Sequence, residues 1–370
     1  MQVSSNPIKI PAKKIIAALN DPQKSAQAIN LVYVQDSQAG ISRIKRGNGF
    51  CYYLGKKELR NKAILDRIKK LVIPPAWKNV WICQHENGHL QATGVDTLNR
   101  KQYRYHNLWN SFRNTTKFYR LYDFGKTVPA IRQQVKKDLE KPGLPVEKVL
   151  AAVVYLMEQT SIRVGNSSYE KLYGSVGLTT LKDKHTTING DHIRFVFKGK
   201  KGVAHNISLK NKKLARIIKQ CRDIPGKELF QYYDEDGNHK AIDSGMVNDY
   251  LKSITGKDFT TKDFRTWIGT VKALGAFQAL AVAETKTQLK QNIINVLDEV
   301  AAHLGNTRAV CKKYYVHPVI LELCESNKLH EYFSKSTNIK KSLGKLRLMQ
   351  EEKLLLHIIE QQQPSVSVHR

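Results

Sequence analysis

The chain has 370 residues, 41% hydrophobic and 8% aromatic, enough for two or three ordinary cores and too apolar for a chain disordered throughout. Sixty-one Lys and Arg against 32 Asp and Glu leave a formal charge of +29, which calls for a polyanionic partner or a basic, well-solvated surface. The longest apolar run, Val149 to Met157, falls far short of the about eighteen residues a membrane helix needs, so no membrane span is expected.

Residues 1–30 read as a polar N-terminal arm with one short helical patch, Ile15 to Leu19. From Leu31 to about Tyr105, the segments LVYVQ, GFCYYL, VWICQH and HLQATG alternate or run apolar, with Gly or Asn between several of them. Asn87-Gly88 separates two of these and predicts a hairpin turn. A helix from about Lys57 to Val72 interrupts the strands, and Pro74-Pro75 ends it. Residues 31–120 therefore read as a small α+β domain. The stretch from Tyr119 to Thr127 is polar, contains Gly125 and precedes Pro129, so the domain junction is expected there.

Residues 121–325 are mainly helical by pattern. Leu150, Val153, Val154 and Met157 recur at i, i+3, i+4 and i+7 after Pro145. Ile193, Phe195 and Phe197 alternate after Asn189-Gly190, and Gly199-Lys200-Lys201-Gly202 leads into VAHNISL. This predicts a three-strand meander with a lysine at a turn. A long helix begins near Thr260, with Asp263 as its capping-box partner and Phe264, Trp267, Ile268 and Val271 as its buried stripe. Residues 326–370 read as a helical tail with one amphipathic helix, Leu343 to Ile359. Its Leu343, Leu346, Leu354 and Ile358 are partly helically spaced, suited to packing on the preceding domain.

On charge alone, ribosomal, RNA, DNA and anionic-membrane partners all remain open. Nucleic acid leads, because attraction to a line of phosphates grows with each Lys or Arg that meets one. The five cysteines, Cys51, Cys83, Cys221, Cys311 and Cys324, are odd in number and widely spaced, which fits a reducing compartment and neither a disulfide framework nor a zinc knuckle. MQVSSNPIKIPAKK lacks an apolar h-region, so secretion is not expected; the absence of acids before Asp21 is a weak transit-peptide signal. There is no GxxxxGK[ST], HExxH, EF-hand loop or GxSxG. What remains is a scatter of cations and tyrosines: Arg163 in SIRVGNSSY, Lys200 in FKGKKGVAH, Arg265 in TKDFRTW and Tyr315 in LGNTRAVCKKYYVHP. Taken singly, each has a plain structural reading. Arg163 is a surface ion pair, Lys200 a solvated turn lysine, Arg265 a structural salt bridge flanking the core, and Tyr315 a packed tyrosine with its hydroxyl satisfied.

In this order and context, the segments closely resemble the type IB DNA topoisomerases, nearest to the short bacterial and poxvirus-like enzymes. IRVGNSSY through GLTTLKDKHT, FKGKKGVAH, KDFRTW and LGNTRAV–KKYYVHP look like that family's catalytic blocks. IPPAWKNVWIC, GHLQATG and RKQYRYH look like its N-terminal DNA-binding domain. The resemblance runs from about Leu31 to Ile320, and EEKLLL in the tail is also similar to the bacterial members. It implies a tyrosine recombinase/topoisomerase IB-like catalytic core behind a β-rich N-terminal domain.

The resemblance also assigns roles. Tyr315 is the nucleophile that forms a 3′-phosphotyrosyl bond, Arg163 and Arg265 stabilise the charge that grows on phosphorus, and Lys200 protonates the leaving 5′-oxygen. No ATP, metal or other cofactor is implied. Many members carry a histidine nine residues before the tyrosine; here Asn306 stands there and is expected to be a hydrogen-bond donor only, with His303 and His317 as alternatives. Lys198, two residues before Lys200 on the same strand face, is a second candidate acid. Tyr314 adjoins Tyr315 but would point about 100° away on a helix. Arg100, Lys101, Gln102, Tyr103 and Tyr105 form a basic run interleaved with aromatics, suited to phosphate and base-edge contacts in a clamp, and Tyr169 matches another DNA contact of the family. The implied protein is a monomer on double-stranded DNA, cytoplasmic on the bacterial nucleoid, with no membrane attachment. Its rivals are a tyrosine recombinase and a DNA-binding clamp without chemistry.

Overall fold

A computed structural model describes residues 8–10, 21–97, 99, 101–334, 348–362 and 366–368. The chain divides into two compact units, Met1–Arg120 with Gln363–Arg370, and Leu121–Gln362. The α+β organisation is as expected, with a β-rich first unit and a mainly helical second one.

In the first unit, β1 (Ile8–Ile10) is followed by α1 (Pro22–Gln27), whose first turn is closed by the Asp21 carboxylate accepting from Gln23 and Lys24. The expected patch at Ile15 to Leu19 lies outside the described residues. Next come β2 (Ile41–Arg46), β3 (Gly49–Leu54), β4 (Lys57–Glu58), α2 (Lys62–Lys70), β5 (Lys78–Ile82), β6 (Leu90–Val95) and β7 (Lys101–Tyr105). The strands form one antiparallel sheet in the order β4-β3-β2-β5-β6-β7. Ile41, Val80, Ile82 and Ala92 of the sheet bury against Ile68 of α2.

Three local expectations change. Lys57 pairs with Leu54 as strand, and the helix waits until Asn61, whose side chain accepts from the Ile64 amide at 3.2 Å. LVYVQ contributes only an isolated bridge, Val32 to Gly88. Asn87-Gly88 is no tight hairpin turn, since neither residue has positive φ and β5 and β6 are joined across residues 83–89. Gly88 is needed for a different reason: a methyl group there would meet Cys83 Sγ at 2.6 Å.

Helix α3 (Asn107–Glu140) is continuous, so residues 119–127, where the domain junction is expected, are helix and not loop. Gly125 within that stretch is a packing glycine. A methyl group there would meet the Trp267 ring at 2.4 Å and Leu356 at 2.8 Å.

The second unit continues with α4 (Val146–Thr160), whose Leu150, Val153, Val154 and Met157 are buried, and α5 (Ser167–Tyr173). The meander forms as β8 (Thr186–Asn189), β9 (His192–Lys198) and β10 (Ala204–Lys210), in the order β10-β9-β8. Ile193, Phe195 and Phe197 turn into the core, and Gly190 supplies the positive φ (+61°) of the first turn. Then follow α6 (Lys212–Arg222), the hairpin of β11 (Gln231–Tyr233) and β12 (His239–Ala241), α7 (Ser244–Thr255), α8 (Thr261–Gln278), α9 (Lys286–Leu304), α10 (Arg308–Tyr314), α11 (Pro318–Glu325) and α12 (Leu329–Ser334).

From the tail, α13 (Gln350–Gln361) buries Leu354, Leu355, Leu356, Ile358 and Ile359 in the same core. Leu343 and Leu346 lie outside the described residues. Glu352 of α13, 1% exposed, accepts two bonds from Arg132 (2.7 and 2.8 Å) and one from the Trp267 indole (3.1 Å). This ties the tail helix to α3 and α8. Finally β13 (Val366–Val368) pairs antiparallel with β1. No helix among the described residues is long and apolar enough to cross a membrane.

Candidate active site

Helix α8 starts as its sequence predicts. The Asp263 carboxylate accepts from the Thr260 amide at 2.8 Å and from its hydroxyl at 3.0 Å. Its buried face is wider than the expected stripe, however. Phe264 and Trp267 are buried, Ile268 and Val271 only half-buried, and Arg265 is 5% exposed. A buried guanidinium without a counter-ion is costly, and its offset here comes from helix ends. Arg265 Nη2 donates to Leu304 O at 2.7 Å, at the end of α9, and Nη1 donates to Ser161 O, the C-cap of α4. Ser161 and Gly305 both take left-handed conformations (φ +55° and +58°) that end their helices. Carbonyls at such ends carry the negative pole of the helix dipole.

Arg163 converges on the same place. Its Nη2 donates to Gly305 O at 3.3 Å and to Asn306 Oδ1 at 2.5 Å. Among the described residues neither arginine pairs with a carboxylate, against the plain expectation of a surface ion pair for one and a structural salt bridge for the other. Arg265 Nε is buried with no hydrogen-bond partner among them. Burial lowers the Arg265 pKa from its ordinary value; Arg163 pushes the same way and the Tyr315 phenol opposes both. A positive pocket with unspent donors is suited to an anion.

Tyr315 is the C-cap of α10 (φ −130°, ψ −12°), and the Arg265 guanidinium lies 5.2 Å from its ring centroid. Its carbonyl accepts from Thr270 Oγ1 at 3.1 Å, and the same hydroxyl accepts from the His317 amide at 3.1 Å. Gly269, one turn after Arg265 on α8, leaves room for this seat, since a methyl group there would meet Tyr315 O at 2.7 Å. The Tyr314 ring is flanked instead by Lys313 Nζ at 5.5 Å.

Asn306 is oriented by its acceptor end, held on Arg163, while Nδ2 stands 3.5 Å from Leu304 O. The two alternative histidines serve helix ends. His303 Nε2 shares a 2.9 Å hydrogen bond with Ser161 Oγ, and His317 Nδ1 accepts from the Val319 amide at 3.2 Å as the N-cap of α11.

Lys200 is exposed in the turn 199–202, outside the strand, so the idea that Lys198 shares its strand face does not hold. Lys198 ends β9, exposed, opposite Ala204. The arginines, Asn306 and Tyr315 are thus brought together, and the lysine turn reaches them through His205, a residue the sequence reading passed over. His205 stands opposite Phe197 in the ladder and stacks on it (4.8 Å, 16°). Burial, then Arg163 and Arg265, lower its pKa. The predicted meander carried the signal: its register places this ring beside the lysine turn.

On the edge strand β7, Tyr103 is 47% exposed and stacks on Tyr105 (5.9 Å, 9°), so the two share a face as alternation predicts. Lys101 Nζ lies 2.6 Å from Asp36 and 5.7 Å from the Tyr103 ring, and Gln102 Nε2 donates to Asp96 at 2.9 Å. Both donors are held by acids. Burial raises the pKa of Tyr105, which is half-buried. Arg100 and the Tyr169 side chain lie outside the described residues. Among those described, no group of three or more His, Cys, Asp or Glu is placed to hold a metal ion.

Comparison with known proteins gives the pocket a family. A model of the eukaryotic DNA topoisomerase I catalytic core matches residues 106–350, and one of the bacterial DNA topoisomerase IB N-terminal domain matches residues 49–96. DNA topoisomerase 1B of Acanthamoeba polyphaga mimivirus is 35% identical over 308 residues, covering 81% of this chain and 91% of that protein. DNA topoisomerase I of monkeypox virus and DNA topoisomerase 1B of vaccinia virus (strain Copenhagen) are each 25% identical over 249 residues, 66% of this chain and 75% of theirs. With two anion-ready arginines around a tyrosine and matches over most of its length, the chain belongs to the type IB DNA topoisomerases.

Proposed function

We propose that this chain binds double-stranded DNA and relaxes supercoils of both signs without ATP, through a single-strand nick held as a 3′-phosphotyrosyl bond on Tyr315. The phenolic oxygen bonds to phosphorus as the P–O5′ bond breaks. The phenolic proton passes to water, and O5′ takes a proton from the Lys200 ammonium. Arg163 and Arg265 neutralise the phosphoryl oxygens, and Asn306 donates from Nδ2 while its oxygen steadies Arg163. Each guanidinium is worth on the order of 3 kcal/mol at the transition state, roughly a hundredfold in rate. The covalent bond conserves the energy of the broken one, so the reverse steps reseal the strand after the free end has swivelled.

The observation that carries this reading is the seat of Tyr315 beneath Arg265, in a pocket whose arginines no carboxylate among the described residues neutralises. Residues 31–120 are read as the DNA-binding domain, 121–325 as the catalytic domain and 326–370 as its tail. Arg100, Lys101, Gln102, Tyr103, Tyr105 and Tyr169 are read as DNA contacts. Lys101 and Gln102 then exchange Asp36 and Asp96 for phosphate or base edges. The enzyme is read as acting as a monomer. Its location is read as the bacterial nucleoid on the strength of the bacterial N-terminal domain match, although the relatives named above are viral.

Incubation with supercoiled plasmid in EDTA without ATP, at several salt concentrations, is expected to give relaxed circles of unchanged sequence, and Tyr315→Phe is expected to give none. Salt is varied because tight binding at low salt stalls turnover. Unchanged supercoils with the parental protein would leave only a DNA-binding clamp, and exchange between specific sites would mean a recombinase.

A further inference from the structure

His205 joins two parts of the site that carry different chemistry. Its ring is half-buried on the core face of β10 and stacked on Phe197. One edge lies against Gly199, just before Lys200, where a methyl group would meet Nε2 at 2.7 Å. The same tip of the ring also faces Gly305, just before Asn306, where a methyl group would meet Cε1 at 2.8 Å and Nε2 at 3.3 Å. Gly305 needs to be glycine for its φ of +58° as well, but Gly199 does not. Its φ is −88°, so the ring is the obstacle to a side chain there.

Between these glycines the ring fills the gap from the lysine turn to the helix end that holds Arg163 and Arg265. The turn is closed on itself by Gly199 N donating to Val203 O at 2.8 Å and Gly202 N donating to Gly199 O at 3.0 Å, while residues 200–203 are exposed. The ring and Val203, whose Cγ1 would lie 3.7 Å from a methyl group on Gly305, lie between this closed turn and the helix end. The ring stacks on Phe197 and its tip meets both glycines, which points to the ring's volume as what acts. Its lowered pKa keeps the ring neutral near pH 7, so it adds no third charge beside the arginines.

We propose that His205 is a positioning residue, a spacer wedged between Gly199 and Gly305 that sets the lysine turn against the arginine pocket and so aims Lys200 at the leaving 5′-oxygen. The proposal rests on the reading of Lys200 as general acid, and its test separates the two. Sulfur in place of the bridging 5′-oxygen, at the cleavage site mapped for the parental enzyme, leaves without needing a proton. A residue that acts only through the general acid loses its importance on that duplex.

Single-turnover cleavage is measured on oxygen and sulfur duplexes, with DNA affinity and thermal unfolding followed in parallel. Lys200→Ala is expected to lose about 10²–10⁴-fold on oxygen and to recover on sulfur. His205→Ala is expected to lose roughly ten- to a hundredfold on oxygen at unchanged affinity, and also to recover on sulfur. Gly199→Ala, whose methyl group displaces the ring, is expected to copy this defect and to add nothing once His205→Ala has removed the ring. His205→Phe, which keeps a stacked ring, is expected to retain most of the rate, and it stands in if the alanine variant fails to fold.

Equal His205→Ala losses on both duplexes, while Lys200→Ala recovers, would overturn the positioning role and leave the general acid standing. Failure of Lys200→Ala to recover would remove both. A phenylalanine variant as slow as alanine, or additive glycine and histidine defects, would show that the ring acts by something other than its volume.

Discussion

Gly269→Ala places one methyl group between the nucleophile and the helix that carries Arg265. The new carbon would stand 2.7 Å from Tyr315 O, 3.1 Å from Leu304 Cδ1 and 3.2 Å from Tyr315 Cβ, whereas an ordinary contact begins at 3.4 Å. The difference, 3.4 − 2.7, requires the Tyr315 carbonyl to retreat by about 0.7 Å, and as backbone it takes the side chain with it. The retreat also stretches the 3.1 Å bond from Thr270. Misplacing a reacting group by about 1 Å costs on the order of 10²-fold, so cleavage is expected to slow roughly ten- to a hundredfold. Stability moves little by comparison. Alanine in a helix gains about 1 kcal/mol over glycine, while overpacking costs about 1–3 kcal/mol. The assay is single-turnover cleavage of a duplex at saturating enzyme, with DNA affinity and melting temperature measured alongside. A folded variant that cleaves at the parental rate would refute the packing argument, as would a loss wholly explained by weaker DNA binding.

Asn306→Ala is expected to slow relaxation, and Asn306→Asp to slow it more, because a carboxylate at that oxygen would neutralise Arg163. Parental relaxation by the alanine variant would remove Asn306 from the mechanism. Glu352→Ala removes one of the two carboxylates that hold Arg132, leaving Glu158, and takes the acceptor from the Trp267 indole; it is expected to cost about 3 kcal/mol, several degrees of melting temperature, and no measurable shift would contradict it. Burial lowers the pKa of His89, His106, His205 and His303 below the ordinary 6.5. Between those folded values and 6.5 the unfolded chain binds protons the folded one refuses. Stability is therefore fully present above about pH 6.5 and falls as pH drops below it. Melting curves at about pH 7.5 and about pH 5.5 check the sign, and a higher melting temperature in acid would contradict it.

Local chemistry was the legible part. Thr260 and Asp263 cap α8 because the capping box needs only residues three apart, and the alternation of Ile193, Phe195 and Phe197 sufficed for a strand buried on one face. The packing role of Gly125 was not legible, because the indole it admits, that of Trp267, comes from far along the chain. Arg265 was placed at the edge of the core because what makes its burial tolerable, Ser161 O and Leu304 O, comes from helix ends far along the chain. Resemblance to the family located the arginines, the lysine and the tyrosine, but not how they are held. Asn306 was expected to act as a donor, and its carbonyl end turns out to steady Arg163. His205 went unread because a histidine in a strand usually only packs. Its place between Gly199 and Gly305 depends on a third element, the end of α9.

The central claim is that the broken strand rests on one particular phenolic oxygen. Quenching the enzyme with denaturant during plasmid relaxation, digesting the trapped adduct and sequencing the nucleotide-bearing peptide tests it most directly. The account predicts a single modified residue, Tyr315, linked to a 3′-phosphate. An adduct on Tyr314 or elsewhere, or a 5′-phosphate linkage, would contradict it.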